Sequence, residues 1–149
     1  MSDYWQQQRH DDAYYALYGR LPGRAARILV TGSREFRDAD LARRALTEAA
    51  AGLPGKLTVV HGAARGADRL VAGLARDAGY RVEAWPADWE LHGRAAGPIR
   101  NQAMVNAGAA VCIALLVEGE PCRGTKDCAR RAEAAGIPVR WYIQEAAVR

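Results

Sequence analysis

The chain is poor in the features that would place it in several large protein classes. Its three cysteines, Cys112, Cys122 and Cys128, are odd in number and lack the spacing of paired zinc ligands, which argues against a disulfide framework or a metal knuckle and leaves reduced thiols. No apolar run approaches the ~20 residues of a membrane-spanning helix. The longest, Ala107 to Val117, already contains Gly108 and Cys112. The opening residues, with Asp3, Gln6 to Gln8, Asp11 and Asp12, hold no apolar signal-peptide region, so a cytoplasmic location with no membrane partner is expected. No GxGxxG follows the first strand-like run, and no Lys-Ser or Lys-Thr pair closes a glycine loop, so neither the dinucleotide fingerprint nor the P-loop is present. Lysine is scarce beside arginine, and a net charge of +4 from 21 basic and 17 acidic residues is a mild excess that favours phosphate without indicating nucleic acid. Basic residues interleaved with aromatics are missing too, so nucleic acid is not expected as a partner.

What remains is a chain of 149 residues, 50% hydrophobic and 26% charged, the composition of an ordinary globular protein. A chain of this length buries roughly 70% of its extended surface, enough for one domain with a genuine core. Residues 4 to 19 carry Trp5, Tyr14, Tyr15, Leu17 and Tyr18 among polar residues, and Pro22-Gly23 follows. This pattern predicts an amphipathic helical extension over residues 1–24, either packed on its own domain or contributing to a homodimer contact, ahead of a domain over residues 25–149.

Within that domain, short β-branched runs alternate with amphipathic stretches. Arg27 to Thr31, Lys56 to Val60, Arg81 to Trp85, Ala110 to Val117 and Pro138 to Ile143 read as strands. Helices are expected from about Asp38 or Asp40 to Ala51, Ala67 to Ala78, Ile99 to Ala107 and Thr125 to Ala135, with Gly79 and Gly136 ending two of them. Pro86 to Pro98 is left as a connection far longer than usual. Strict alternation predicts an α/β fold: a doubly wound parallel sheet of about five strands between two helical layers.

Four glycine-containing junctions should then gather at one edge of the sheet: Thr31-Gly32-Ser33-Arg34, His61-Gly62-Ala63-Ala64-Arg65-Gly66-Ala67-Asp68, Gly97-Pro98-Ile99-Arg100-Asn101 and Arg123-Gly124-Thr125. Ligands of such sheets bind there, where glycine admits close backbone approach and the first amides of each helix await a partner. A hydroxyl, two free amides and a guanidinium from Gly32, Ser33 and Arg34 would reach one phosphate. Asp68 either complements its helix dipole, accepts hydrogen bonds from ribose hydroxyls, or acts as a base. His61 is either a hydrogen-bonded structural residue or a catalytic one. Arg100, taken to open a helix against the dipole's preference, calls for a nearby anion and is the leading phosphate ligand. Thr125 is either a helix cap or a phosphate contact. Trp85, Trp89 and His92 surround the long connection, where a ring either packs in the core or stacks on a base. No spacing calls for a metal or a cofactor.

The ordered set Thr-Gly-Ser-Arg, His-Gly-Ala-Ala-Arg-Gly-Ala-Asp, Pro86-Ala87-Asp88-Trp89, Ala96-Gly97-Pro98-Ile99-Arg100-Asn101 and Gly124-Thr125 resembles the YspA/YpsA-related branch of the SLOG superfamily over about residues 26 to 140. The resemblance implies a bacterial or phage-encoded Rossmann-like domain that binds or senses nucleotides or nucleotide-derived ligands such as ADP-ribose-like molecules, with frequent dimerisation. Gly32, Ser33, Gly62, Gly66, Asp68, Arg100, Asn101, Gly124 and Thr125 match positions that line the family's pocket. The superfamily includes the LOG phosphoribohydrolases, which release a base from a nucleoside monophosphate with a glutamate three residues after the Thr of a Pro-Gly-Gly-x-Gly-Thr segment. Here that position is Cys128, and Asp127 would project about 100° away round a helix. Hydrolysis would therefore fall to Asp68 or Asp127 as candidate catalytic residues, with Arg100 anchoring the phosphate.

Overall fold

Strand β1, Arg27–Gly32, contains Ile28, Leu29 and Val30, each no more than 1% exposed, so both of its faces are covered, as its continuous β-branched and leucine run demands. The computed structural model describes residues 26–146; the expected helix over residues 4 to 19 lies outside them. After β1 come helix α1 (Ala39–Ala50), β2 (Thr58–His61), α2 (Ala67–Asp77), β3 (Arg81–Ala84), a one-turn helix α3 (Trp89–His92), a 3-10 turn (Gly93–Ala95), α4 (Ala96–Ala107), β4 (Val111–Val117), α5 (Arg123–Ala134) and β5 (Val139–Gln144). The five strands form one sheet in the order β3-β2-β1-β4-β5, and every neighbouring pair is parallel. The order reverses between β1 and β4, where Thr31 pairs with Ala114 and Gly32 with Leu115, and such a reversal leaves a crevice beyond the strands' C-terminal ends.

Helices cover both faces. On one, Ala42, Ala45, Leu46 and Ala49 of α1 and Val71 and Ala75 of α2 pack on Ile28, Val30, Ile113 and Leu115. On the other, Ala103, Met104 and Val105 of α4 and Cys128 and Ala132 of α5 pack on Leu29, Val60, Trp85 and Cys112. The result is the expected three-layer, doubly wound α/β fold. Caps follow the sequence closely. The Asp38 carboxylate accepts the Leu41 amide at 3.0 Å and starts α1. At the ends of α2 and α5, Gly79 and Gly136 take φ of 82° and 80°, and the next residue donates back to Ala75 and Ala132 respectively.

Several boundaries differ from the sequence-based expectation, three of them by two residues or more. The stretch from Pro86 to Pro98 is not an open loop: Asp88 accepts the Leu91 amide at 3.0 Å to start α3, and α4 already begins at Ala96. Pro98 sits in the first turn of α4, where its missing N–H removes no helical hydrogen bond, so the residue taken as the end of the connection belongs to the helix. Arg100 consequently lies in the second turn of α4 and not at its opening. Likewise α5 starts at Arg123, before Gly124-Thr125, and β2 is shifted to Thr58–His61.

Far from the crevice, Arg27 is fixed by a buried ion pair with Glu83 at 3.0 Å. Arg27 Nε also donates to the Gly108 carbonyl, and Trp85 Nε1 donates to Glu83. The outer strand β3 and the turn ahead of β4 are thus tied to β1 beneath the site.

Candidate functional site

The glycine junctions converge as their placement at strand ends requires. A cavity of about 310 Å³ opens over the β1–β4 crevice, lined by Gly32, Ser33, Arg34, Asp68, Arg100, Asn101, Gly124 and Thr125 among others. Of the residues expected to bind ligand, Gly62 and Gly66 line neither this cavity nor the groove beside it. Their role in the fold is to let parts of the protein meet. A Cβ on Gly62 would fall 2.4 Å from Arg100 Nη1, and one on Gly66, at φ +77°, would fall 2.4 Å from the Arg34 carbonyl oxygen. Gly32 is similar, since its Cβ would lie 2.3 Å from that of Ala67. At Gly124, by contrast, nothing stands within 4 Å.

The loop after β1 differs from its expected use. One of the amides counted on for a phosphate is already engaged, because β1 keeps pairing with β4 one residue longer than expected and Ser33 donates its amide to the Leu115 carbonyl at 2.9 Å; the Ser33 hydroxyl, also counted on, accepts the Glu35 amide at 3.1 Å. Gln144 of β5 accepts the Arg37 and Asp38 amides at 2.7 and 2.9 Å and pins the far end of the loop. Arg34 is left exposed at the cavity rim.

Asp68 is 4% exposed. One of its oxygens, Oδ2, accepts the Gly62 amide at 3.0 Å and the Ala64 amide at 3.2 Å, bracing the loop after β2. The other, Oδ1, is buried without a partner among the described residues. Burial lifts this carboxyl from its ordinary 3.8 to about 6, against the downward pull of the Ala64 amide, Arg100, the Gly62 amide and Arg34. His61, at the end of β2, accepts the Ala63 amide on Nδ1 at 2.9 Å, and burial, with Arg76 and Arg100 nearby, lowers it from 6.5 to about 4. It is therefore neutral at physiological pH, with its proton on the buried, unpartnered Nε2. Hydrogen bonding to Ala63 meets the structural alternative for this residue.

Arg100 reaches across from α4. Its Nη1 donates to the carbonyls of Gly62 and Trp85, and its Nε to Asn101 Oδ1 at 3.0 Å, so part of the guanidinium fastens three segments while the side chain still lines the cavity. Asn101, 4% exposed, donates to the Gly124 carbonyl at 3.3 Å and to Asp127 at 3.0 Å, coupling α4 to α5. The first turn of α5 has no side-chain cap, since Cys122 precedes it in the left-handed region at φ 50°. Thr125 therefore does not cap the helix; it is buried in the first turn, whose residues Arg123, Gly124 and Thr125 line the cavity and whose amides have no partner within the helix. Among the described residues the non-glycine positions with positive φ are Cys122 and Ala63, and both belong to the loops around this cavity.

Asp127 lies apart from the inner cavity. Burial would raise its pKa, but hydrogen bonds from Arg131, at 2.9 Å, and from Asn101 outweigh that and hold it below the usual range. Cys128, fully buried in the core, has its thiol pushed up to about 12 by burial, so it offers neither the carboxylate of the hydrolases nor a nucleophile.

An adjoining groove of about 740 Å³ shares Arg34, Arg100, Asn101, Arg123 and Gly124 with the cavity and extends to Trp89, Pro98, Lys126 and Arg130. Of the two tryptophans around the long connection, Trp85 is 1% exposed in the core, and Trp89 is 52% exposed in this groove. Arg123, Lys126 and Arg130 were not anticipated as site residues. Their recurrence along one helix face was readable, but their pairing with Trp89 depends on how α3 folds. Among the described residues there is no cluster of three or more His, Cys, Asp and Glu able to hold a metal ion, and no helix long and apolar enough to cross a membrane.

Comparison with known proteins agrees with this architecture. The family model described as "YspA, cpYpsA-related SLOG family" matches residues 26–92, which span β1 to α3. The protein is 45% identical over 118 residues to "Gene 61 protein" of Mycobacterium phage D29, covering 76% of this chain and 93% of that protein. No solved structure matches. With the glycine junctions gathered at one crevice and a family model over residues 26–92, the chain belongs to the YspA, cpYpsA-related SLOG family.

Proposed function

We propose that this protein binds or senses a nucleotide-type small molecule in the cavity over the β1–β4 crevice. The observation that carries this reading is the pairing of two unmet needs in one cavity: the buried, unpartnered Asp68 Oδ1, and the uncapped first turn of α5 beside Arg100 and Arg34. A sugar hydroxyl donated to Asp68 satisfies the first, and a phosphate accepting the α5 amides and facing the two guanidiniums satisfies the second. Membership of the SLOG family independently suggests nucleotide-related function. Binding requires no reaction, and the hydrolases' glutamate position is occupied by a core cysteine.

A second reading, hydrolysis of the N-glycosidic bond of a nucleoside 5′-monophosphate, draws support from one feature. Asp68 titrates near 6 and faces the cavity, as a group exchanging a proton near neutral pH must. Asp127 is the poorer candidate, being committed to Arg131 and Asn101.

Both readings are tested by mixing the protein with AMP, ADP and ADP-ribose and following thermal stability together with release of free base or ribose phosphate. A ligand at 100 times its dissociation constant stabilises by roughly 2.7 kcal/mol. Stabilisation without product is the expected result, and it should be lost in Arg34→Ala, whose exposed side chain makes the fold insensitive to the change. Product formation selects the hydrolase. No response to any of the three ligands would overturn both.

A further inference from the structure

The inner cavity and the outer groove differ in chemistry. Among the described residues no aromatic ring lines the inner cavity, whose volume of about 310 Å³ stands at the floor of the ~300–1,000 Å³ range of ligand sites. The groove supplies a flat apolar surface, the exposed Trp89 ring, which lines it together with Gly97 and Pro98. A side chain on Gly97 would touch the Trp89 ring at 3.5 Å, so this glycine leaves the ring's edge open. Further along, Lys126 and Arg130 stand one helical turn apart on the exposed face of α5, and both line the groove. The groove's carboxylate, Asp127, is already engaged by Arg131 and Asn101.

Resting on the nucleotide reading of the cavity, we propose that the groove is a second subsite that stacks the base on Trp89 and seats a further phosphate on Lys126 and Arg130. The preferred ligand is then a nucleotide carrying phosphate on both sides of its base-bearing sugar, and not a nucleoside monophosphate. The second phosphate is either terminal, as in a nucleoside 3′,5′-bisphosphate, or the bridge to a second nucleotide. Sugar and first phosphate occupy the inner cavity, where the polar groups are, and the base leaves it through the shared wall of Arg34 and Asn101.

The test is a graded series of probes measured by calorimetry at fixed salt: ribose 5-phosphate, AMP, adenosine 3′,5′-bisphosphate and the dinucleotide pApA, with a 20-nucleotide single strand for comparison. Affinity should rise about 5- to 150-fold from ribose 5-phosphate to AMP, the gain typical of one base on an aromatic ring. It should rise again, by at least fivefold, when the second phosphate is added. Trp89→Ala should erase the first step, and the double variant Lys126→Glu with Arg130→Glu should erase the second while leaving AMP within twofold. All three side chains are exposed, so their loss leaves the core intact. The bisphosphate and pApA arms tell a terminal from a bridging phosphate. Silence of every probe would sink the nucleotide reading itself. AMP binding with no gain from the second phosphate, or gains unchanged in the variants, would sink this inference alone. A 20-nucleotide strand binding more tightly than pApA, with a steep loss in salt, would overturn it in favour of a nucleic-acid groove.

Discussion

Replacing Asp68 with asparagine should make the protein more stable at neutral pH and more sensitive to acid. In the folded chain the carboxyl titrates near 6 instead of 3.8, so the folded state holds a proton that the unfolded state has released across that interval. A group raised in this way contributes stability that is complete below about 4 and lost as pH climbs through 6; at 1.36 kcal/mol per unit the loss is about 3 kcal/mol. His61 acts in the opposite sense. Its depression from 6.5 to about 4 gives stability that is complete above 6.5 and lost as pH falls towards 4, again by about 3 kcal/mol. Between pH 4 and 6.5 the two contributions offset one another in the native protein. The substituted amide keeps an oxygen for the Gly62 and Ala64 N–H groups but carries no charge, so only the histidine contribution remains. Urea unfolding of both proteins at half-unit steps from pH 4 to 8 reads this directly, because every other titrating group cancels in the difference. The difference curve should stand up to about 3 kcal/mol in favour of Asp68→Asn above pH 6.5 and fall to near zero by pH 4. A flat difference, or a variant less stable at pH 7.5, would refute the assignment of a buried, costly charge to Asp68. A confirmed cost would mark Asp68 as a residue kept for a purpose other than stability.

Other consequences are equally open to measurement. Affinity for ADP-ribose, whose phosphates stay ionised throughout, should increase as pH rises from 5 to 7, because a hydroxyl donated to Asp68 favours the charged carboxylate and pulls its pKa down from about 6; a flat profile would remove Asp68 from the binding site. Glu83→Gln should cost about 3–5 kcal/mol in thermal or urea unfolding, since it leaves Arg27 charged and buried without its partner. Gly32→Ala should cost at least about 1–3 kcal/mol, because the added methyl lands 2.3 Å from the Ala67 Cβ and α2 must lift off the sheet to admit it.

How far the sequence went can be seen in particular residues. The strands of the sheet, the Asp38 cap and the two glycine-ended helices were legible because each is set by local chemistry: β-branched runs, a side chain within three residues of its amide, a backbone angle glycine tolerates. Convergence of the junctions followed from alternation alone. The path from Pro86 to Pro98 was not legible, because a proline at the start of a helix and one in a loop leave the same local trace. The destination of the Ser33 amide, the pinning of Arg100 by the Gly62 and Trp85 carbonyls, and the packing reason for Gly32, Gly62 and Gly66 all depend on contacts between distant segments. Local pattern carries no record of these.

The bond from Gln144 to the amides of Arg37 and Asp38 joins the sheet's last strand to its first connection, across 106 positions of chain. The segment bearing Ser33 and Arg34 therefore owes the placing of its far end to a strand at the edge of the sheet. Were β5 to detach from the sheet, β1 to β4 would remain with that rim unpinned, so under the proposed reading the grip on an anion would be the first property to slacken.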